Sequence, residues 1–193
     1  FLALAKERGW ETFGVEISQF FIKKAREKLG ESSVFGMPLK MAKFPSDFFD
    51  TVTMWDVLDQ LLDPLEELQE IKRILKKGGV LVIRVRNMAF HLFVSRMLKK
   101  NIFRFIRNLA TCHLYGFNRE NINALLEKAG FSKIKVINSR LTVGDPYSQI
   151  KFMGGLSIVL MKKIYYAFSE FLSFLTSKRI LISPSLLIYV QKK

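Results

Sequence analysis

Apolar residues along the first 87 positions switch between helical and alternating or continuous spacing. The pattern predicts helices over 1–9, 18–29 and 64–76 and strands over 12–16, 33–36, 50–55 and 80–86. The segments TVTMW and VLVIRV are largely apolar runs, as parallel strands covered on both faces are. The punctuation agrees with this division. Ser18 is placed to cap the second helix and Gly30 to end it; Asp63-Pro64 opens the third helix, and Gly78-Gly79 is expected to stop it. Helix and strand in regular alternation predict an α/β fold built on a doubly wound, mostly parallel sheet.

After Met88 the pattern changes. Over 88–110, apolar residues are interleaved with Arg96, Lys99, Lys100, Arg104 and Arg107, which predicts one or two basic amphipathic helices inserted after the strand. The stretch HLYGFNRENINALLEKAGF predicts a helix from about Arg119 to Lys128, capped by Asn118 and closed at Gly130, and KIKVINS then reads as a strand. Residues 144–155 read as a loop. A second helical insertion over 156–181 sets Lys163, Tyr166, Glu170, Ser173 and Ser177 on one stripe opposite a broad apolar face. SPSLLIYVQKK supplies a last strand.

With 193 residues, 49% of them hydrophobic, the chain suits a single domain spanning 1–193. One cysteine, Cys112, excludes an intrachain disulfide and fits a reducing, cytoplasmic compartment. The longest apolar runs fall well short of the ~20 residues that cross a bilayer. Charge adds more to the picture. Residues 1–70 carry 8 Lys/Arg against 13 Asp/Glu, whereas residues 71–193 carry 23 against 4. Such a field is either solvated surface or an attraction for an anionic partner: a phosphorylated substrate, an anionic lipid surface or nucleic acid. Nucleic acid fits least, because the aromatics are periodic rather than arranged as stacking platforms. The two insertions are open to two readings, a lid over a substrate site or a peripheral contact with an anionic membrane in which Phe90, Phe93, Phe103 and Phe105 enter the interface. His91 and His113 lie far from any second ligand at useful spacing, so no metal site is expected.

Glu16 ends the second predicted element, where a carboxylate can accept both hydroxyl hydrogens of a ribose or simply cap the next helix. Taken in order, Glu16, then FGMP, FPSDFFDTVTMWDVLDQLLDP, LEELQEIKRILKKGG, VLVIRVRN and the later HLYGF resemble class I S-adenosylmethionine-dependent methyltransferases of the small-molecule branch. The resemblance covers roughly residues 1–140 and extends to the final strand. It implies a Rossmann-like sheet with an antiparallel last strand, residues 1–87 forming the cofactor-binding part and 88–110 and 156–181 the helical insertions. Members of that family carry a strand and a Gly-rich turn of the type D.G.G.G ahead of the part matching Phe1, so an N-terminally truncated domain is expected.

Residue by residue, the resemblance implies that Glu16 binds the ribose and Ile17 packs on the adenine. Met37 and Pro38 follow the next strand, where the family commonly has Gly-Asp, so adenine recognition there would rely on apolar contact and backbone groups. Trp55, Asp56 and Val57 would line the methionine portion. Trp55 also reads as a core residue, whereas Asp56 beside apolar strand residues has to find a partner. Asp59 and Gln60 stand where the branch often has Glu-His. His113 and Tyr115 are the candidate catalytic groups near the mouth of the site, an imidazole there being able to take a proton from an attacking oxygen or nitrogen. The implied reaction is displacement at the sulfonium methyl carbon by a small or lipid-linked, anionic acceptor, with approach geometry and exclusion of water as the main contributions of the protein. The alternative is a non-catalytic, methyltransferase-like binding module on an anionic membrane surface. A nicotinamide-dependent enzyme also permits an acid after the second strand, but the terminal SPSLLIYVQKK suits the antiparallel strand of methyltransferases better.

Overall fold

Helices and strands alternate as the pattern predicts. The computed structural model describes residues 1–97, 114–140, 155–177 and 180–193, and divides into two units, Phe1–Phe48 and Phe49–Lys193. The basic insertion beyond Met97 and the expected loop up to residue 154 lie outside the described residues.

The first unit holds α1 (Leu2–Glu7), β1 (Gly14–Val15), α2 (Gln19–Leu29) and β2 (Val34–Phe35). β1 and β2 pair in parallel, Gly14 opposite Val34 and Val15 opposite Phe35. Ile22, Leu29 and Val34 form a buried cluster on which Leu2, Ala3 and Ala25 pack. Phe13, Phe35, Phe44 and Phe48 make a second, aromatic cluster with ring centroids 5.0–6.4 Å apart, within the range where edge and offset contacts are favourable. Gly30 ends α2 at a φ of 98°, a backbone region that glycine enters without steric cost.

The second unit contains β3 (Phe49–Trp55), α3 (Pro64–Ile74), β4 (Leu75–Arg86), α4 (Met88–Met97), α5 (Arg119–Lys128), β5 (Lys133–Asn138), α6 (Gly155–Leu175) and β6 (Ser185–Gln191). Its sheet runs β3-β4-β6-β5. β3 and β4 are parallel, and β6 is antiparallel to both of its neighbours. Leu81, Ile83 and Val85 of β4, Leu186, Ile188 and Val190 of β6, Leu68 and Ile71 of α3, and Ile122 and Leu126 of α5 are buried and make the core. Each such side chain contributes ~1.5–3 kcal/mol by leaving water. The caps read from the sequence are in place: the Asp63 carboxylate accepts the Glu66 N–H at 2.9 Å, and Asn118 and Asn121 exchange side-chain and backbone bonds in a reciprocal box.

The double glycine is a correction. α3 already ends at Ile74, and Gly78 and Gly79 lie inside β4, where the pairing with β3 jumps between Phe49/Leu75 and Thr51/Val80. Gly78 has a φ of 78°. A Cβ on Gly79 would sit 2.8 Å from the Lys76 carbonyl oxygen and 3.2 Å from that of Asp50. The glycines thus make an irregularity within the strand, not a helix stop.

α6 does not set its apolar face on the core, as the lid reading of this insertion requires. Ser169 and Ser173 are buried, while Phe168, Phe171 and Phe174 face outward. The cause is a buried amide network. Asn138 donates to the Ser169 carbonyl at 3.2 Å and to Glu170 Oε1 at 3.0 Å, and its own oxygen accepts the Ser183 N–H at 3.1 Å. Asn87 donates to the carbonyls of Leu181 and Ser183 at 2.8 and 2.9 Å, and the Tyr165 hydroxyl donates to the Ile182 carbonyl. Buried polar groups require such partners, so Ser169 and Ser173 turn inward to meet them, while Lys163 and Ser177 of the predicted stripe stay exposed.

Two outcomes follow for stability. Asn138→Leu removes three bonds at once and strands the Ser183 N–H, so urea unfolding should report a loss of about 2–4 kcal/mol. Burial, with Glu70 and Glu66 nearby, raises the Glu67 carboxyl above its ordinary value. The folded state therefore holds that proton more tightly, and the penalty for ionising it grows from the ordinary carboxylate range upward and is complete above the raised value. Glu67→Gln should stabilise the protein at neutral pH, with the gain vanishing at about pH 3, below the ordinary carboxylate range.

Candidate functional site

Parallel strands in an open α/β sheet leave their carboxyl ends clustered, and ligands bind there. In the first unit β1 ends at Glu16 and β2 at Gly36, and the Glu16 N–H donates to the Phe35 carbonyl at 3.1 Å, which sets the two ends side by side. Glu16 Oε1 accepts the N–H groups of Ile17 and Ser18, each at 2.8 Å. This carboxylate therefore takes over the capping expected of Ser18, whose hydroxyl makes no cap bond. Oε2 has no bond among the described residues. Ile17 beside it is 71% exposed. Across the two strand ends, Gly36 comes so close to α2 that an added Cβ would lie 3.0 Å from Ile22 Cδ1. Met37 follows half-buried, and Pro38 is exposed. An open carboxylate oxygen next to bare apolar side chains suits a ligand that pairs a diol with a flat, weakly polar ring.

The second unit has its own cluster, at the carboxyl ends of β3 and β4. Trp55 and Val57 are both exposed. Asp56 between them has a φ of 55°, a left-handed conformation that is costly for a residue with a side chain. The sequence predicted that Asp56 needs a partner, and Arg84 is that partner: Nη2 lies 2.8 Å from Oδ2 and Nε 3.1 Å from Oδ1. The fork meets the carboxylate with both of its oxygens, the strongest geometry for such a pair. Gln60 Nε2 donates to the Asp56 carbonyl at 2.6 Å and closes the turn.

Tyr115 is brought to this same loop. The Asp59 carbonyl accepts the N–H groups of Leu114 and Tyr115 at 2.9 and 3.2 Å, and the Tyr115 hydroxyl donates to the Leu62 carbonyl at 3.0 Å. Phe117 bridges to Asn87 just beyond β4. Residues 114–117 thus cross the carboxyl ends of β3 and β4. His113 lies outside the described residues, as does Cys112. Among the described residues no group of three or more His, Cys, Asp or Glu is placed to hold a metal ion.

Sequence reasoning did not single out Arg84. Its signal was a charged residue inside the apolar run VLVIRVR, between Ile83 and Val85, which are fully buried. Alternation puts Arg84 on the other face of β4, in register with Trp55.

Arg84 is mostly buried and Asp56 about a third exposed, so breaking the pair costs less than the ~3–5 kcal/mol of a fully buried one. Arg84→Met should lower the unfolding free energy by about 1–2 kcal/mol. Asp56→Gly should be less damaging than Asp56→Ala by about 1 kcal/mol, because glycine relieves the left-handed backbone. Chemical denaturation of the three variants measures both differences.

A family model described as a methyltransferase domain matches residues 1–136. Among solved structures, the chain is similar to an S-adenosylmethionine-dependent methyltransferase from Thermotoga maritima, with 21% identity and a TM-score of 0.64 over 100% of this chain and 76% of that one. It is also similar to one from Archaeoglobus fulgidus, with 20% identity and a TM-score of 0.59 over 100% and 80% of the two chains. No curated protein matches the sequence. The structural likenesses establish the Rossmann-like fold with its antiparallel strand. The match over residues 1–136 goes further: the chain belongs to the methyltransferase-domain family.

Proposed function

We propose that the protein transfers the methyl group of S-adenosylmethionine to a small or lipid-linked acceptor that carries negative charge. The observation that carries this reading is Glu16. One of its oxygens fastens the start of α2 while the other stays open beside exposed Ile17. In this reading Glu16 Oε2 accepts the ribose hydroxyls, and Ile17, Met37 and Pro38 offer the adenine an apolar bed with backbone groups at its edge. In the second unit Arg84 holds the Asp56 side chain between exposed Trp55 and Val57, and the family resemblance assigns these three residues to the methionine portion.

When bound, the cofactor supplies a methyl group on a cationic sulfur, already activated toward displacement. The chain then has to orient the acceptor and exclude water, and no residue is obliged to act as a base. Tyr115, carried on the segment anchored by Asp59, is placed to orient the acceptor, and His113 two residues earlier is the candidate for taking its proton. The preference for an anionic acceptor rests on the 23 Lys/Arg against 4 Asp/Glu in residues 71–193.

Titration calorimetry of S-adenosylmethionine into the full-length protein tests the reading. Glu16→Gln is the discriminating variant, because its amide oxygen preserves the helix cap while its NH2 cannot accept a hydroxyl hydrogen. Loss of a charge-assisted bond should weaken binding by roughly 10- to 100-fold with the melting temperature unchanged. Equal affinity in both proteins would remove Glu16 from the site, and absence of heat in the parent protein would sink the reading.

A further inference from the structure

The outward face of α6 is made of the wrong residues for a surface. Leu160, Ile164, Phe168, Phe171, Phe174 and Leu175 are all exposed, Phe174 by 80%. At 3.6 residues per turn they fall within an arc of about 120°. Meanwhile the inward face holds Ser169 at 0% exposure and Ser173 at 6%. An ordinary surface helix has the opposite arrangement. The inversion is not a loose docking, since the amide of Asn138, the hydroxyl of Tyr165 and the carbonyl of Ser169 tie the polar face to the strand ends. Scattered exposed apolar residues need no explanation, whereas a contiguous patch marks an interaction surface.

Charge identifies the partner. Exposed Lys163 borders the apolar arc. Acidic residues are scarce beyond Glu70, four against 23 Lys/Arg, with Asp145 and Glu170 the only two after Glu127, and Glu170 is turned to Asn138. A second copy of this chain would bring its own +14 charge to the same face, which opposes self-association. Among the described residues no helix is long and apolar enough to cross a membrane, so insertion through the bilayer is not the use of α6. An apolar arc bordered by lysine on a helix that does not span is the pattern of a helix lying in the plane of an anionic lipid surface.

We propose that α6 docks the protein on an anionic membrane surface, with Ile164, Phe168, Phe171 and Phe174 in the headgroup boundary and Ser169 and Ser173 holding the helix to the sheet. This contact stands apart from cofactor binding and requires none of the residues assigned to it.

Flotation of the full-length protein with vesicles tests it, using phosphatidylcholine alone and phosphatidylcholine with about a third phosphatidylserine. Binding is expected to the anionic vesicles and to fall with added salt. The double variant Phe171→Ser, Phe174→Ser should lower that binding by roughly tenfold or more at an unchanged melting temperature. Lys163→Glu should lower binding to anionic vesicles while leaving the apolar face intact. Three results would overturn the proposal: no flotation with anionic vesicles, flotation that neither variant changes, or light scattering that shows a dimer which the double variant converts to a monomer.

Discussion

β4 lies between a parallel and an antiparallel neighbour, and its register with both is the constraint on which the second unit depends. Leu81, Ile83 and Val85 must face the buried layer, and a slip of one residue would turn all three outward. With that face settled, Arg84 has to project to the other side and meets Asp56 at the end of β3. The irregularity at Gly78 and Gly79 is the adjustment that lets the register hold, with the chain rejoining β3 at Val80 opposite Thr51. The clustered strand ends that concern function are thus a product of core packing several residues away.

The two clusters at the strand ends differ in how they are held. Glu16 is fixed by backbone N–H groups of the helix that follows it, a local arrangement complete within three residues. Asp56 is fixed by a guanidinium 28 residues further on and by a backbone conformation that disfavours its side chain. Strain of this kind persists only where the surroundings determine it strongly, and Arg84 together with Gln60 does so here.

What could be read from the sequence follows the range of the interactions. The caps at Asp63 and Asn118 depend on residues three positions away, and both were legible. The same holds for the strand ends at Glu16, Gly36 and Trp55, which punctuation and period locate. Gly78-Gly79 was misread because a glycine pair signals a helix stop and a strand irregularity equally well. The inversion of α6 was out of reach. Its period was correct, yet which face turns inward was decided by Asn138, 31 residues before Ser169, and by the carbonyls of 181–183. A hydrophobic pattern reports that a helix has two faces, and only the polar partners across the interface say which one is covered.

The strand order β3-β4-β6-β5 carries a consequence for how this unit comes into being on the ribosome. β6 follows all the other described elements along the chain, yet it sits inside the sheet, joining β4 to β5 through two antiparallel ladders. Until residues 185–191 have emerged, β5 has no neighbour and β4 presents an open apolar edge to everything near it. Between the emergence of β5 and that of β6 the nascent chain therefore holds β5 apart from the β3–β4 pair, and the non-local closure by β6 leaves both exposed to other chains in that interval.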